Sequence, residues 1–144
     1  GILSAINLKK HFVAVLAAIS LVAIPLPAMA AAPTSTVPPS ILGTAKVGST
    51  LVGQKGTWSS NPTASFSFSW YNCTTQLIAA TSSKPASCTK LPTANAATYT
   101  AEIASAGKYL SFAVTATNAN GSVTQWSKST APVVAAPVNT VAPS

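Results

Sequence analysis

Residues 65–70, Ser-Phe-Ser-Phe-Ser-Trp, alternate small polar side chains with large aromatic ones. Because successive side chains of a strand point to opposite faces, this stretch predicts a β-strand with one apolar face. Residues 110–117 alternate in the same way, and Asn120-Gly121 beyond them is a strong hairpin signal before a last strand at 123–126. No segment carries an amphipathic helical stripe, so these short, regularly spaced strands predict an all-β antiparallel sandwich.

The first thirty residues have the order of a secretory signal peptide. Basic residues at 9–11 precede an uncharged apolar run at 12–24, and Ala28-Met29-Ala30 forms an A-x-A cleavage site before Ala31. The alternative is a transmembrane anchor, but a span needs about 20 apolar residues and this run is nearer a dozen. We therefore expect residues 1–30 to be a signal peptide, cleaved between Ala30 and Ala31. The mature chain is then secreted or at the cell surface, without stable membrane insertion.

The charge balance of the mature chain excludes most chemistry. Residues 31–144 hold six lysines against one acid, Glu102, which leaves +5 and no arginine, aspartate or histidine. Catalytic triads, glycosidase carboxylate pairs and metal sites all need residues that this inventory lacks. We therefore expect no enzymatic activity, no cofactor and no metal, and a surface or corner role for Glu102. Scattered lysines without arginine also argue against nucleic-acid binding, while loose adhesion to an anionic envelope stays open.

Cys73 and Cys88 are the only cysteines of the chain. An even count in an exported protein favours a disulfide over a metal or catalytic role, with a pair of free thiols as the alternative. Closing a loop of about 15 residues is worth about 3 kcal/mol in the chain-entropy model. We expect the bridge to hold a polar, turn-prone excursion in place.

Two Pro-rich segments flank the predicted strands and resemble each other. Residues 136–144 match residues 32–40 at six of nine positions, at an offset of 104. Self-similarity at about one domain length indicates a modular array, although shared Ala, Pro, Ser and Thr content offers chance as the alternative. This predicts a Pro-rich linker at 31–38, one sandwich domain at 39–134, and at 135–144 a linker with the start of a following repeat.

A series of short motifs runs in order through nearly the whole mature chain, from about Pro38 to Ser144. They are Ile41-x-Gly43-x-Ala45-Lys46-Val47-Gly48-Ser49-Thr50-Leu51, Gly56-Thr57-Trp58-Ser59, Phe68-x-Trp70-Tyr71-x-Cys73, Cys88, Thr98-Tyr99, Gly107-Lys108, and Val114-Thr115-Ala116-Thr117-Asn118-Ala119-x-Gly121-Ser122. In this order the motifs resemble the immunoglobulin-like repeats of secreted and surface proteins of Gram-positive bacteria, especially actinobacteria. The resemblance implies two packed antiparallel sheets, with Trp70 as the core aromatic of the central strand.

The resemblance also implies the placement of the disulfide and of a corner between the sheets. Cys73 follows Trp70 by three residues and points to the opposite face, so the bridge staples a hairpin excursion, unlike the inter-sheet bridge of antibody domains. Tyr99 and residues 102–107 lie where such domains turn between sheets. The family usually carries an aspartate just before the Gly-Lys pair. Here Ser105-Ala106 stand there, which leaves the corner's side-chain hydrogen bond open.

Two functions follow as expectations. The first is a non-catalytic structural spacer and adhesion repeat, whose partners are neighbouring repeats, cell-wall polysaccharide or a surface protein. The alternative is a carbohydrate-binding module of a secreted hydrolase, with Trp58, Tyr71 and Trp126 as aromatic residues that stack on sugars. Against it, these side chains can equally cover a sheet edge or pack against a neighbouring module, because single exposed apolar residues need no special explanation.

Overall fold

The computed structural model describes residues 29–137, and within this range the fold is all-β. Its only helical element is a single 3₁₀ turn at Ile103–Ser105. The all-β prediction is therefore confirmed. The nine strands are β1 (Ala31–Val37), β2 (Ser40–Leu42), β3 (Thr50–Gln54), β4 (Thr57–Asn61), β5 (Ser65–Cys73), β6 (Cys88–Lys90), β7 (Thr98–Thr100), β8 (Tyr109–Asn118) and β9 (Gly121–Trp126).

A four-stranded antiparallel sheet in the order β6-β5-β8-β9 forms the centre of the fold. The two strands predicted from alternating side chains are its central pair. Strands β5 and β8 stay in register from Ser65 opposite Thr117 to Cys73 opposite Tyr109. This long uninterrupted pairing fixes which side chains of both strands share a face, because a slip of one residue would exchange the two faces.

The hairpin between β8 and β9 lies at the predicted Asn-Gly signal, but its two turn residues come one position earlier than Asn120-Gly121. The turn residues are Ala119 and Asn120, and Gly121 pairs with Asn118 as the first residue of β9. No residue other than glycine has a positive φ in residues 29–137, and Gly121 has a φ of 146°. The Oδ1 of Asn118 accepts a hydrogen bond of 2.8 Å from the N–H of Asn120, which closes the turn.

The remaining strands form a three-stranded sheet, β2-β3-β7, and the pair β1-β4, all antiparallel. Strand β1 occupies most of the stretch that the sequence predicts as a Pro-rich linker. Pro33 is buried and falls at a register irregularity of the β1–β4 ladder, between Ala31 and Thr34. A proline has no N–H to donate, and an irregular edge pairing is a position where a strand tolerates it. Residues Ala31–Val37 are therefore part of the fold.

One hydrophobic cluster joins the three-stranded sheet to the inner face of the four-stranded sheet. Leu51 and Tyr99 come from the first, and Trp70, Leu110 and Phe112 from the second. The Trp70 ring lies 4.8 Å from Phe112 and 5.6 Å from Tyr99 between centroids, and its Nε1 donates to the carbonyl of Ala96 at 2.9 Å. Each large side chain buried in this way contributes about 1.5–3 kcal/mol. Trp70 is the central core aromatic, as expected.

Candidate functional site

The disulfide joins two directly opposed residues of neighbouring strands. Cys73 ends β5, Cys88 begins β6, and the two pair across the sheet with their Cα atoms 3.9 Å apart. Both are buried, on the sheet face opposite to Trp70. The predicted Cys73–Cys88 disulfide is confirmed, and it closes the base of the excursion at 74–87.

The excursion at 74–87 folds back across the outer face of the four-stranded sheet. Thr81 and Trp126 exchange both of their backbone hydrogen bonds, at 3.0 and 2.8 Å. Four residues earlier, Leu77 accepts from the N–H of Ser129 at 3.0 Å and donates its own N–H to the Ser129 Oγ at 2.9 Å. The excursion therefore pairs with the free edge of the four-stranded sheet, at Trp126 and at Ser129 just beyond β9. Left open, this edge could pair with a strand of another molecule.

Two of the three candidate sugar-stacking residues lie beneath this excursion. Tyr71 is 9% exposed and Trp126 is 8% exposed, and their rings meet edge to face at 5.9 Å between centroids. They form a second cluster with the disulfide and Ala113, against which Leu77 packs. The burial of Tyr71 and Trp126 agrees with the packing alternative and removes the exposed surface that sugar stacking needs. Both point outward from the sheet, and the excursion covers them.

Trp58 is the one candidate that keeps part of its side chain in solvent. It lies on β4 in a shallow depression of about 320 Å³. Its Nε1 donates to the carbonyl of Lys55 at 2.9 Å, and its ring packs edge-on against Phe66 at 6.1 Å. The Lys55 ammonium stands 4.2 Å above the Phe66 ring. The structure therefore leaves a single partly exposed indole, with its N–H already bonded, for contact with a ligand.

A buried hydrogen-bond chain holds the corner between the sheets. Ser105 donates its hydroxyl proton to the Oδ1 of Asn72 at 2.8 Å, so the hydroxyl of Tyr99 is the donor in the 3.0 Å bond between Tyr99 and Ser105. The Tyr99 oxygen in turn accepts a long bond, 3.4 Å, from the N–H of Glu102. Ser105 thus makes the side-chain hydrogen bonds of this corner, which the sequence leaves open.

No pattern in the sequence identifies Asn72 and Ser105 as partners. They lie 33 residues apart in the chain, and no local pattern joins them. The only available signal was the alternation of β5, which places Asn72 on the same face as Trp70. Glu102 itself is exposed at this corner, in agreement with the surface role expected for it.

Among residues 29–137, no group of three or more His, Cys, Asp or Glu side chains could hold a metal ion. The same part of the chain contains no helix that is both long and apolar enough to cross a membrane. The predicted signal peptide lies outside the described residues, except for its last two, Met29 and Ala30. Ala30 is exposed, and within the described residues the first strand, β1, begins at Ala31, next to the predicted cleavage site.

The polypeptide enters and leaves the fold at opposite ends of β8. At the start, the carbonyl of Ala31 accepts a bond of 2.7 Å from the Nδ2 of Asn118, the last residue of β8. At the end, Val133 donates to the carbonyl of Lys108, and Pro132 bridges to Tyr109, the first residue of β8. At about 3.4 Å per residue, β8 separates these two points by about 30 Å.

No protein-family model, curated protein or solved structure matches the chain. The geometry of the described residues therefore carries the functional argument. Three features bear on function: the opposed ends of the fold, the partly exposed Trp58, and the face of the sheet that the disulfide-bridged excursion covers.

Proposed function

We propose that this chain is a non-catalytic module of immunoglobulin-like sandwich fold that serves as a structural spacer and adhesion repeat in a larger secreted or cell-surface array. The observation that carries the proposal is the position of the two ends of the fold. Because the chain enters beside Asn118 and leaves beside Tyr109, modules linked in series extend end to end and gain length with each copy. Ends on the same side would fold each pair of modules back on itself.

The sandwich part of the proposal is supported by the core. Side chains of β3 and β7 share one buried cluster with side chains of β5 and β8, which is the arrangement of two sheets facing each other. The second cluster, on the outer face, is held by the disulfide and its excursion. Two clusters on opposite faces of one sheet make a small module resistant to local opening, which suits a mechanical role.

Export is supported by two features of the described residues. A structural disulfide persists in oxidising compartments and is rare in the cytosol. The first strand of the described residues begins at Ala31, immediately after the predicted cleavage site, so removal of residues 1–30 leaves all nine strands of residues 29–137 intact. The adhesive part rests on charge, since exposed lysines outnumber the one exposed acid and favour weak, salt-sensitive contact with polyanionic surfaces.

The location can be tested on the protein from its native cells. The proposal predicts that mass spectrometry finds the protein outside the cytoplasm, with Ala31 as its first residue and Cys73 and Cys88 linked. Recovery from the cytosol with residues 1–30 attached and free thiols would contradict it. A control digestion under reducing conditions shows that the linked peptides come from the disulfide.

The carbohydrate-binding alternative rests on Trp58 and its depression alone. Titration of the mature chain with cell-wall and plant polysaccharides, followed by tryptophan fluorescence, separates the two functions. The spacer function predicts no saturable shift for any polymer. A saturable shift that Trp58→Ala abolishes, and that the matched exposed-strand variant Ser67→Ala retains, would establish the alternative in its place.

A further inference from the structure

Among residues 29–137, Val134 is the last whose backbone groups bond to the rest of the fold. The N–H of Val134 donates to the carbonyl of Ala45 at 3.0 Å, and its carbonyl accepts from the N–H of Val47 at 2.9 Å. The next three residues, Ala135-Ala136-Pro137, are exposed and make no backbone bond with the rest of residues 29–137. The module therefore ends at Val134.

Those three exposed residues are a second copy of the beginning of β1. Ala31-Ala32-Pro33 and Ala135-Ala136-Pro137 are identical, at the same offset of 104 that relates residues 32–40 to 136–144. In the first copy, the carbonyl of Ala31 is bound by Asn118 and Pro33 is buried. A segment that is built into the fold at one end is thus repeated in solvent at the other.

We propose that Ala135 is the first residue of the β1 strand of a following copy, so that successive modules are joined without any linker residue. This inference rests on the proposed function, in which the chain is one module of an array. The occupant of the exit end is therefore a second copy of the same fold, attached in the same polypeptide.

The exit end carries the exposed aliphatic side chains that such a joint needs. Val134 is 62% exposed, and Ile103, in the 3₁₀ turn, is 79% exposed. The turn belongs to the same end as Val134, because Ala101 accepts a bond from Gly48 and Gly107 donates to Val133. These two side chains define the exit patch. A following copy joined directly at Val134 would cover these two side chains.

The opposite end of the fold offers a suitable surface for the exit patch. It consists of the turn at 61–64 and the hairpin at 119–120, which contain no charged residue. Pro62 and Ala119 are exposed there. Asn118 binds the carbonyls of Ala31 and Pro62, so the start of β1 and this turn are held as one unit. In a direct joint, Ile103 lies against this turn of the next copy.

A two-module chain tests the joint. Residues 31–144 are placed directly after Val134 of the full chain, which recreates the natural Val134-Ala junction, and a second version carries Gly-Ser-Gly-Ser between the copies. The proposal predicts that ¹⁵N relaxation gives a rotational correlation time at least about twofold longer for the direct chain, because a flexible Gly-Ser linker lets the modules tumble separately. Equal correlation times in the two chains would overturn it.

Variants of the direct two-module chain test the exit patch. Ile103→Ser in the first copy is expected to shorten the correlation time toward that of the spaced chain. Ile78→Ser is the matched control, since Ile78 is 84% exposed on the disulfide-bridged excursion, outside the exit patch. An Ile103→Ser chain that tumbles like the unmodified one, or an Ile78→Ser chain that loosens equally, would overturn the patch assignment.

The failure of the joint and the failure of the array are distinguishable. If the direct chain is as flexible as the spaced one, the linker-free joint is wrong and the array proposal stands. If the residues that follow Ser144 in the natural protein are unrelated to residues 41–134, the array proposal is wrong, and the joint falls with it whatever the engineered chain shows.

Discussion

Replacement of Gly53 by alanine tests how tightly β3 of the three-stranded sheet packs against β8 of the four-stranded sheet. Gly53 lies on β3, and a Cβ built on it would lie 2.5 Å from three atoms of the Phe112 ring. Carbon atoms in good contact are about 3.5 Å apart or more, so the ring and the strand must separate by about 1 Å. The ring cannot simply swing aside, because Phe68 stacks on it at 5.4 Å and Trp70 lies at 4.8 Å.

The expected cost of Gly53→Ala follows from these contacts. Overpacking of a close-packed core costs about 1–3 kcal/mol. Loss of glycine's freedom in the unfolded chain offsets about 0.4–1 kcal/mol of this, because Gly53 does not need a positive φ. The net prediction is a decrease of about 1.3 kcal/mol in the free energy of unfolding, and at most about 2.6 kcal/mol. Urea unfolding should show a lower midpoint with an unchanged m value.

A double-mutant cycle isolates the contact itself. Phe112→Leu removes the ring atoms that the new Cβ would meet, so Gly53→Ala should cost less in this background than in the natural chain. Ser67→Ala, on the exposed outer face of β5, is the control and should cost about the same in both backgrounds, because distant substitutions are additive. An equal cost of Gly53→Ala in the two backgrounds would refute the close packing of Gly53 against Phe112.

Three further variants test other parts of the fold. The double change Cys73→Ala and Cys88→Ala should lower the free energy of unfolding by about 3 kcal/mol in urea titration, and a loss near zero would show that the bridge is dispensable. Tyr99→Phe should lower the free energy of unfolding by about 1–3 kcal/mol, because it removes the hydroxyl that donates to Ser105. Tyr109→Phe should lower the free energy of unfolding by less. Equal losses for the two variants would contradict the role of Tyr99 in the corner. Asn118→Ala removes the bonds to three acceptors and the bond that closes the β8–β9 turn, so it should raise amide hydrogen exchange in β1, β4 and that turn but not in β3 and β7. A uniform increase over all strands would count against its role as the clamp of β1.

The sequence predicts the centre of this fold well because that centre follows local alternation. Strands β5 and β8 are long, alternate cleanly, and pair with each other, so one inspection of side-chain period locates both. The same alternation places Trp70 on the apolar face, its role as core aromatic is what the family resemblance implies, and the disulfide follows from the cysteine count. These features depend on residues that are close in sequence or on the even number of cysteines in an exported chain.

The sequence does not predict strand β1, because the composition of this stretch is that of a linker. Residues 31–38 are rich in proline and small residues, which predict extended, unpaired chain. Its place in the fold depends on the partner strand β4 and on Asn118, a residue 87 positions away. Contacts over this distance leave no local pattern, so the domain boundary moves from residue 39 to residue 31 only when the structure is seen.

The sequence does not predict the second cluster either, because it also depends on contacts between distant parts of the chain. One signal for it is nevertheless present in the sequence. Tyr71, Cys73, Ala113 and Trp126 all lie at outward positions of the central sheet, in the half nearest the disulfide. In the other half of the same face, the outward positions are serine and threonine, such as Ser67 and Thr117. This change from hydroxyl to apolar side chains marks the area that the excursion covers, and it separates buried aromatic residues from sugar-stacking ones.

The sequence that follows Ser144 in the natural protein decides whether the chain is one module of an array. We expect it to continue as another copy, with a tryptophan 104 residues after Trp70 and a Gly-Lys pair 104 residues after Gly107-Lys108. Mass spectrometry of the intact native protein, read together with its coding sequence, measures this. A chain that stops at Ser144, or continues into a sequence without this spacing, would contradict the array of end-to-end modules.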